Sequence, residues 1–193
     1  MLASHKRERR NTGSITVQSL ENRPRFIVDV NAGRLAKWLR ILGYDTAFIN
    51  PIKDGELLEI AGREGRIVLT RDHGLARRRA VTRGLITVMV PASDLWQEQL
   101  REVAARFQLT AAQDSGICAR CNERLLPVAL DYAKERVPPY VAATQQQFAT
   151  CPRCNRIYWQ GTHWEQMQRV LDSLPGQPRV AAFVVEAPFM GVH

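Results

Sequence analysis

The four cysteines of the chain fall in two pairs of identical spacing, Cys118-Ala-Arg-Cys121 and Cys151-Pro-Arg-Cys154. Two C-x-x-C knuckles supply the four soft thiolates that zinc takes in closed tetrahedral structural sites. Each pair is followed by an asparagine, Asn122 and Asn155, which tolerates the left-handed turn a knuckle needs. Residues 122–150 separate the knuckles, a longer span than the roughly 15–20 residues of compact zinc modules, so the chain between them must make its own excursion. The rival chemistries are disulfides, disfavoured in the cytoplasm, and a redox dithiol, which lacks a thioredoxin-like context. Four thiolates leave no open position for water, so the expected zinc is structural.

A second constellation is acidic. Asp29 ends the apolar run FIVDV, Asp72 follows RIVLT, Asp54 and Glu56 open a helical segment, and Asp94 follows LITVMV and Pro91. In a parallel α/β sheet the carboxyl ends of the strands converge on one edge, where such folds place their sites. Clustered carboxylates repel unless a divalent ion neutralises them, and hard oxygen ligands select Mg²⁺ or Mn²⁺, ions that assist phosphodiester cleavage. Arg34, Lys37, Arg40, Arg71, Arg77 and Arg78 are then the expected contacts to a nucleic-acid backbone. The bland alternative for any one of these acids is a cap or turn residue, and Asp54 and Asp94 each fit an N-cap. Asp29, inside an apolar run, does not fit that role and needs a partner. Thr70 is placed to orient the Asp72 carboxylate or a water, and His73 is either a phosphate contact or a solvent-facing helix start. No histidine pairs with a serine or cysteine nucleophile, and no glycine-rich phosphate loop is present.

These residues need elements to position them. FIVDV reads as a buried strand, and GRLAKWLRILG places Leu35, Trp38, Leu39 and Leu42 on one helical face, closing at Gly43. YDTAFIN predicts a strand, DGELLEIAGREG a helix capped by Asp54 and closed by Gly65, and RIVLT a third strand. HGLARRRAVTRG predicts a helix, LITVMV a fourth strand, and SDLWQEQLREVAARF a fourth helix. Strands alternating with helices predict a parallel sheet in a three-layer α/β/α domain over residues 25–109. Residues 1–24 read as a basic flexible arm, 110–170 as a linker and zinc ribbon with strands at ERLLPVAL and RIYWQ, and 171–193 as a tail with an optional edge strand.

With 193 residues, 45% of them hydrophobic, the chain can bury a real core; its net charge of +8 favours a polyanionic partner. No apolar run reaches the ~18–20 residues of a membrane span, which predicts a cytoplasmic protein without membrane contact. Tyr140, Tyr158, Trp159 and Trp164 near the cysteines read either as base-stacking side chains or as the mini-core a small zinc module needs.

Taken in order, FIVDVNAGRLAKWLRILGYDT, DGELLEIAGREGRIVLTRD, the VPPY element at Val137–Tyr140 and CPRCNRIYWQGTHW resemble the Mut-seven C-terminal RNase domain family, a branch of the PIN-like nucleases carrying a zinc ribbon. The resemblance implies a PIN-like fold and endoribonuclease activity on RNA, with tRNA or another structured RNA as candidate substrate. It implies a Mg²⁺ or Mn²⁺ centre held by Asp29, Asp54 and Asp72, with Glu56 as fallback and Asp94 as the weakest match. A non-catalytic RNA- or ribosome-binding protein on the same fold is the alternative. A receiver-like phosphate acceptor would leave the cysteines unexplained.

Overall fold

The computed structural model describes residues 23–110 and 116–159. Four short strands, β1 (Phe26–Val28), β2 (Thr46–Phe48), β3 (Ile67–Leu69) and β4 (Val88–Met89), form a sheet of order β2-β1-β3-β4 with every pairing parallel. The central strand β1 is buried on both faces, which is why its sequence is continuously apolar rather than alternating. Phe26 and Val28 face one core, with Leu35 and Leu39 of helix α1 (Gly33–Ile41) and Leu100 and Val103 of helix α5 (Trp96–Phe107). Ile27 and Val68 face the other, with Leu57 and Ala61 of helix α2 (Asp54–Glu64). Two cores on opposite faces of one sheet make the three layers, as the strand–helix alternation predicts.

Two glycines end helices with positive φ, Gly43 at 82° after α1 and Gly65 at 63° after α2, the left-handed closure that a Cβ disfavours. The helix expected over residues 73–84 is broken into α3 (His73–Ala76) and α4 (Arg79–Thr82). Arg78 between them is extended, with ψ 144°. Asp54 is the first residue of α2, with Lys53 as its cap, and Leu95 rather than Asp94 caps α5. In each case it is the neighbouring residue that carries the extended backbone of a cap, Lys53 with ψ 148° and Leu95 with ψ 119°.

Beyond residue 115, strands β5 (Leu126–Val128), β6 (Phe148–Thr150) and β7 (Ile157–Trp159) form an antiparallel sheet of order β5-β6-β7. β5 and β7 lie in the two predicted ribbon segments; β6 was not anticipated. The excursion between knuckles carries helices α6 (Leu130–Ala133) and α7 (Pro139–Thr144), which pack Ala133, Val137 and Val141 on Phe148, Ile157 and Trp159. VPPY is the start of α7, with Pro139 at its first position, where the missing N–H costs nothing. Tyr158 is 0% and Trp159 4% exposed, so both are core rather than base-stacking residues. The N-terminal arm up to residue 22, the C-terminal tail, His163 and Trp164 lie outside the described residues. Arg23, expected in the arm, is instead packed: its guanidinium lies 4.0 Å over the Tyr44 ring and donates to the Thr110 carbonyl. Among the described residues no helix is long and apolar enough to cross a membrane.

Candidate active edge and metal centre

The strand order doubles back between β1 and β3: the connection from β1 leads outward to β2, and the chain then returns to the other side of β1. Open parallel sheets bind ligands at such a switch point, outside the carboxyl ends of the two strands. Asp29 follows β1 there, and Thr70 and Asp72 follow β3. The Thr70 hydroxyl donates to Asp29 Oδ2 at 2.9 Å, and the Asp72 backbone N–H donates to that same hydroxyl at 2.9 Å. Thr70 is 1% exposed, so one buried hydroxyl bridges the switch point and sets the first carboxylate against the segment carrying the second. The hydroxyl expected to orient the Asp72 carboxylate or a water donates instead to Asp29 and meets Asp72 only through its backbone N–H.

Asp29 also accepts from the Val30 N–H at 2.6 Å and caps the short 3₁₀ turn Val30–Ala32. Its place in an apolar run argues against a cap, and the sharp turn after β1 makes it one. Asp72 Oδ1 accepts from the Gly74 N–H at 2.6 Å and caps α3. A Cβ on Gly74 would stand 3.0 Å from that oxygen, so the close approach favours glycine. The other acids stand apart from this pair. Asp54 is ion-paired to Arg78 at 3.3 Å, Glu56 is exposed in the first turn of α2, and Asp94 is ion-paired to Arg71. Among the described residues, no three acids bring ligand atoms within 4.8 Å of one another.

The predicted RNA contacts divide in the same way. Arg34 and Arg77 are exposed, and neither guanidinium has a partner among the described residues; Lys37 is also exposed. Arg71 is a loop staple instead, donating from Nη1 to the carbonyls of Pro91, Ala92 and Ser93 at 3.0, 3.0 and 2.6 Å. Arg40 is 5% exposed and cannot reach a ligand.

The four cysteine Sγ atoms lie within 4.8 Å of one another. Each knuckle closes by the same backbone turn: the Asn122 N–H donates to the Cys118 carbonyl at 3.0 Å and the Asn155 N–H to the Cys151 carbonyl at 2.8 Å. Asn122 and Asn155 have φ of 66° and 56°, the left-handed turn expected from their type. Burial and the neighbouring thiols push Cys121 up to about 12, and burial raises Cys151 to about 11. Burial also acts to raise Cys118, but the Tyr158 hydroxyl 3.0 Å from its sulfur and nearby backbone N–H donors outweigh it and lower the thiol. Such a group can hold one metal ion, whose charge would displace the remaining thiol protons. All-sulfur tetrahedral ligation suits zinc.

The model of the Mut7-C RNAse domain family matches residues 24–171. The chain belongs to the Mut7-C RNAse domain family. No curated protein and no solved structure matches it. The matched span covers both the acid edge and the cysteine centre, and in this Mut7-C chain the two regions are joined by buried polar contacts. Arg40 Nε donates to the Thr46 carbonyl at 2.8 Å while its Nη1 donates to the carbonyls of Ala119 and Arg120 at 3.1 and 2.7 Å. Asn122 Oδ1 accepts from the Thr46 N–H at 2.8 Å, and its Nδ2 donates to Asp45 at 2.6 Å. Asp45 in turn is gripped by Arg66 and Arg25. Burial acts to raise the Asp45 carboxyl, yet the bonds from Arg66 and Asn122 outweigh it and hold the group below its ordinary value. Sequence reasoning missed Asp45 in the Mut7-C domain; an Asp just past a glycine cap looks like any surface turn residue.

Proposed function

We propose that this Mut7-C domain is a PIN-like, divalent-metal-dependent endoribonuclease, and that its cysteine centre holds a structural Zn²⁺. The observation that carries the first part is the Asp29–Thr70–Asp72 bridge across the switch point of the parallel sheet. Asp29 and Asp72 each keep lone pairs free beside the bonds they accept, so they suit a hard cation. Asp54 is the third ligand. Its pairing to Arg78 involves two side chains 47% and 59% exposed, and exposed ion pairs are worth no more than about 1 kcal/mol, so it exchanges readily. Glu56 is the substitute on the same turn, and Asp94 is the weakest member of the set.

A bound Mg²⁺ or Mn²⁺ supplies an activated water and stabilises charge on the scissile phosphate. The chain's own residues do the rest: Thr70 fixes the carboxylate spacing, while Arg34, Lys37 and Arg77 face solvent where a phosphate backbone can be held. Cleavage of a mixed pool of cellular RNA by purified protein tests the reading. Discrete fragments that appear with Mn²⁺ and vanish with EDTA, with Asp29→Asn and with Asp72→Asn are the expected result. A second reading, RNA binding without cleavage, draws support from the structural partners that Asp29, Asp54, Asp72 and Asp94 already have without an ion. Intact RNA bound in a salt-dependent way under all these conditions would establish it in place of the first.

A further inference from the structure

A cleft of about 320 Å³ opens beside the acid edge, between the turn that follows Asp29 and the loop that follows β4. Asn31 and Arg34 line one side, Asp94, Trp96 and Gln99 the other. Its second wall is unusually well built for a loop. Arg71 takes three consecutive carbonyls there and pairs with Asp94. Glu102 accepts from the Ala92 and Ser93 N–H groups at 2.8 and 3.4 Å. The Trp96 ring is stacked on Trp38, with centroids 4.9 Å apart and planes 9° from parallel.

Gln99 is the informative residue. It is 4% exposed, and its Nε2 donates to the Ser93 carbonyl at 3.0 Å, which fixes the orientation of the amide. Its Oε1 accepts nothing among the described residues, yet it is not among the sealed, unpaired polar atoms. On a residue only 4% exposed, an acceptor that opens to the cleft is placed to take an N–H donor from a molecule bound there. Across the cleft, Arg34 has no partner among the described residues, and the Asp94 charge that would repel an anion is already engaged by Arg71. An anionic group, a planar aromatic surface and an N–H donor within a volume near the ~300 Å³ lower end of ligand sites describe a single nucleotide.

We propose that this cleft is a subsite for one unpaired nucleotide next to the scissile phosphate, with Arg34 on its phosphate and Gln99 Oε1 reading an N–H of its base. The place beside the scissile phosphate rests on the nuclease reading; the nucleotide binding does not. An unpaired base is required because a cleft of about 320 Å³ takes one base and not a base pair. The four nucleoside 5′-monophosphates are titrated in turn into the zinc-loaded 193-residue protein with no Mg²⁺ or Mn²⁺ added, following the fluorescence of its tryptophans. The expected result is a saturable change with unequal affinities among the four. Arg34→Ala should weaken all of them about tenfold. Gln99→Met should level the inequality, with Asn31→Ala as a second cleft variant in case Gln99→Met does not fold. No saturable change at millimolar nucleotide, or affinities untouched by Arg34→Ala and by the cleft variant, overturns the subsite. Since the titration contains no Mg²⁺ or Mn²⁺, nucleotide binding without RNA cleavage in the Mn²⁺ assay would sink the nuclease and keep the subsite, while cleavage without nucleotide binding would do the reverse.

Discussion

The cysteine centre and the acid edge both gather side chains that are far apart in sequence, but they are held by opposite means. At the cysteine centre the sulfurs are already within 4.8 Å of one another, two of the four residues are buried, and the backbone turns that set them repeat from one knuckle to the other. At the acid edge only Asp29 and Asp72 are linked, through Thr70, while Asp54 and Asp94 are each neutralised by an arginine of their own. Thiols are small and weakly polar, so they pack together without an ion at little cost. Carboxylates repel, and here each is met by a donor of its own.

The largest effect is expected at a cysteine. Cys118→Ser should abolish stoichiometric zinc and cost on the order of 5 kcal/mol, since loss of a structural metal is among the largest single-residue effects. Metal content and thermal melting check this, and a variant that kept both would remove the zinc assignment. Arg40→Met comes next. It strands the carbonyls of Thr46, Ala119 and Arg120 in the joint between the two regions, an expected loss of roughly 2–4 kcal/mol in urea unfolding. It should leave the salt dependence of RNA binding unchanged, whereas Arg77→Ala should lower the slope by about one.

Thr70→Val tests the acid side. Removing the bridging hydroxyl leaves the Asp72 N–H and Asp29 Oδ2 without their partner, for about 1–3 kcal/mol of stability. It should depress cleavage more than that loss of folded protein explains, and Thr70→Ser should restore it. The smallest effect is a pH dependence at Asp45. Its folded pKa lies below the unfolded value near about 3.9, so the stability it contributes is present above that value and is lost as pH falls through the lower, folded one. Melting temperature followed below pH 4 should therefore fall less steeply in Asp45→Asn than in the parent chain.

Much of the sheet was legible because burial on both faces leaves an unmistakable continuous apolar run, as in FIVDV and RIVLT, and because Gly43 and Gly65 mark helix ends. The knuckles were legible because ligand spacing is local. β6 was not: FAT carries no strand signal of its own and pairs because β5 and β7 flank it. The basic side chains were legible only as charge. Arg34, Arg40 and Arg71 look alike in sequence, yet one is exposed, one is buried in the joint between the regions, and one staples the loop after β4.

What the sequence alone determined are the features carried by neighbours along the chain: the two thiolate pairs with their left-handed asparagines, the order of strands and helices from β1 to β3, and the acids that follow strands. Tertiary structure alone decided which arginine meets which carbonyl, that one threonine hydroxyl spans the switch point, and that Asn122 bonds to Asp45. Those contacts join residues up to 80 positions apart. A hydrogen bond is set by a few tenths of an ångström and by direction, and only the packed layers fix both.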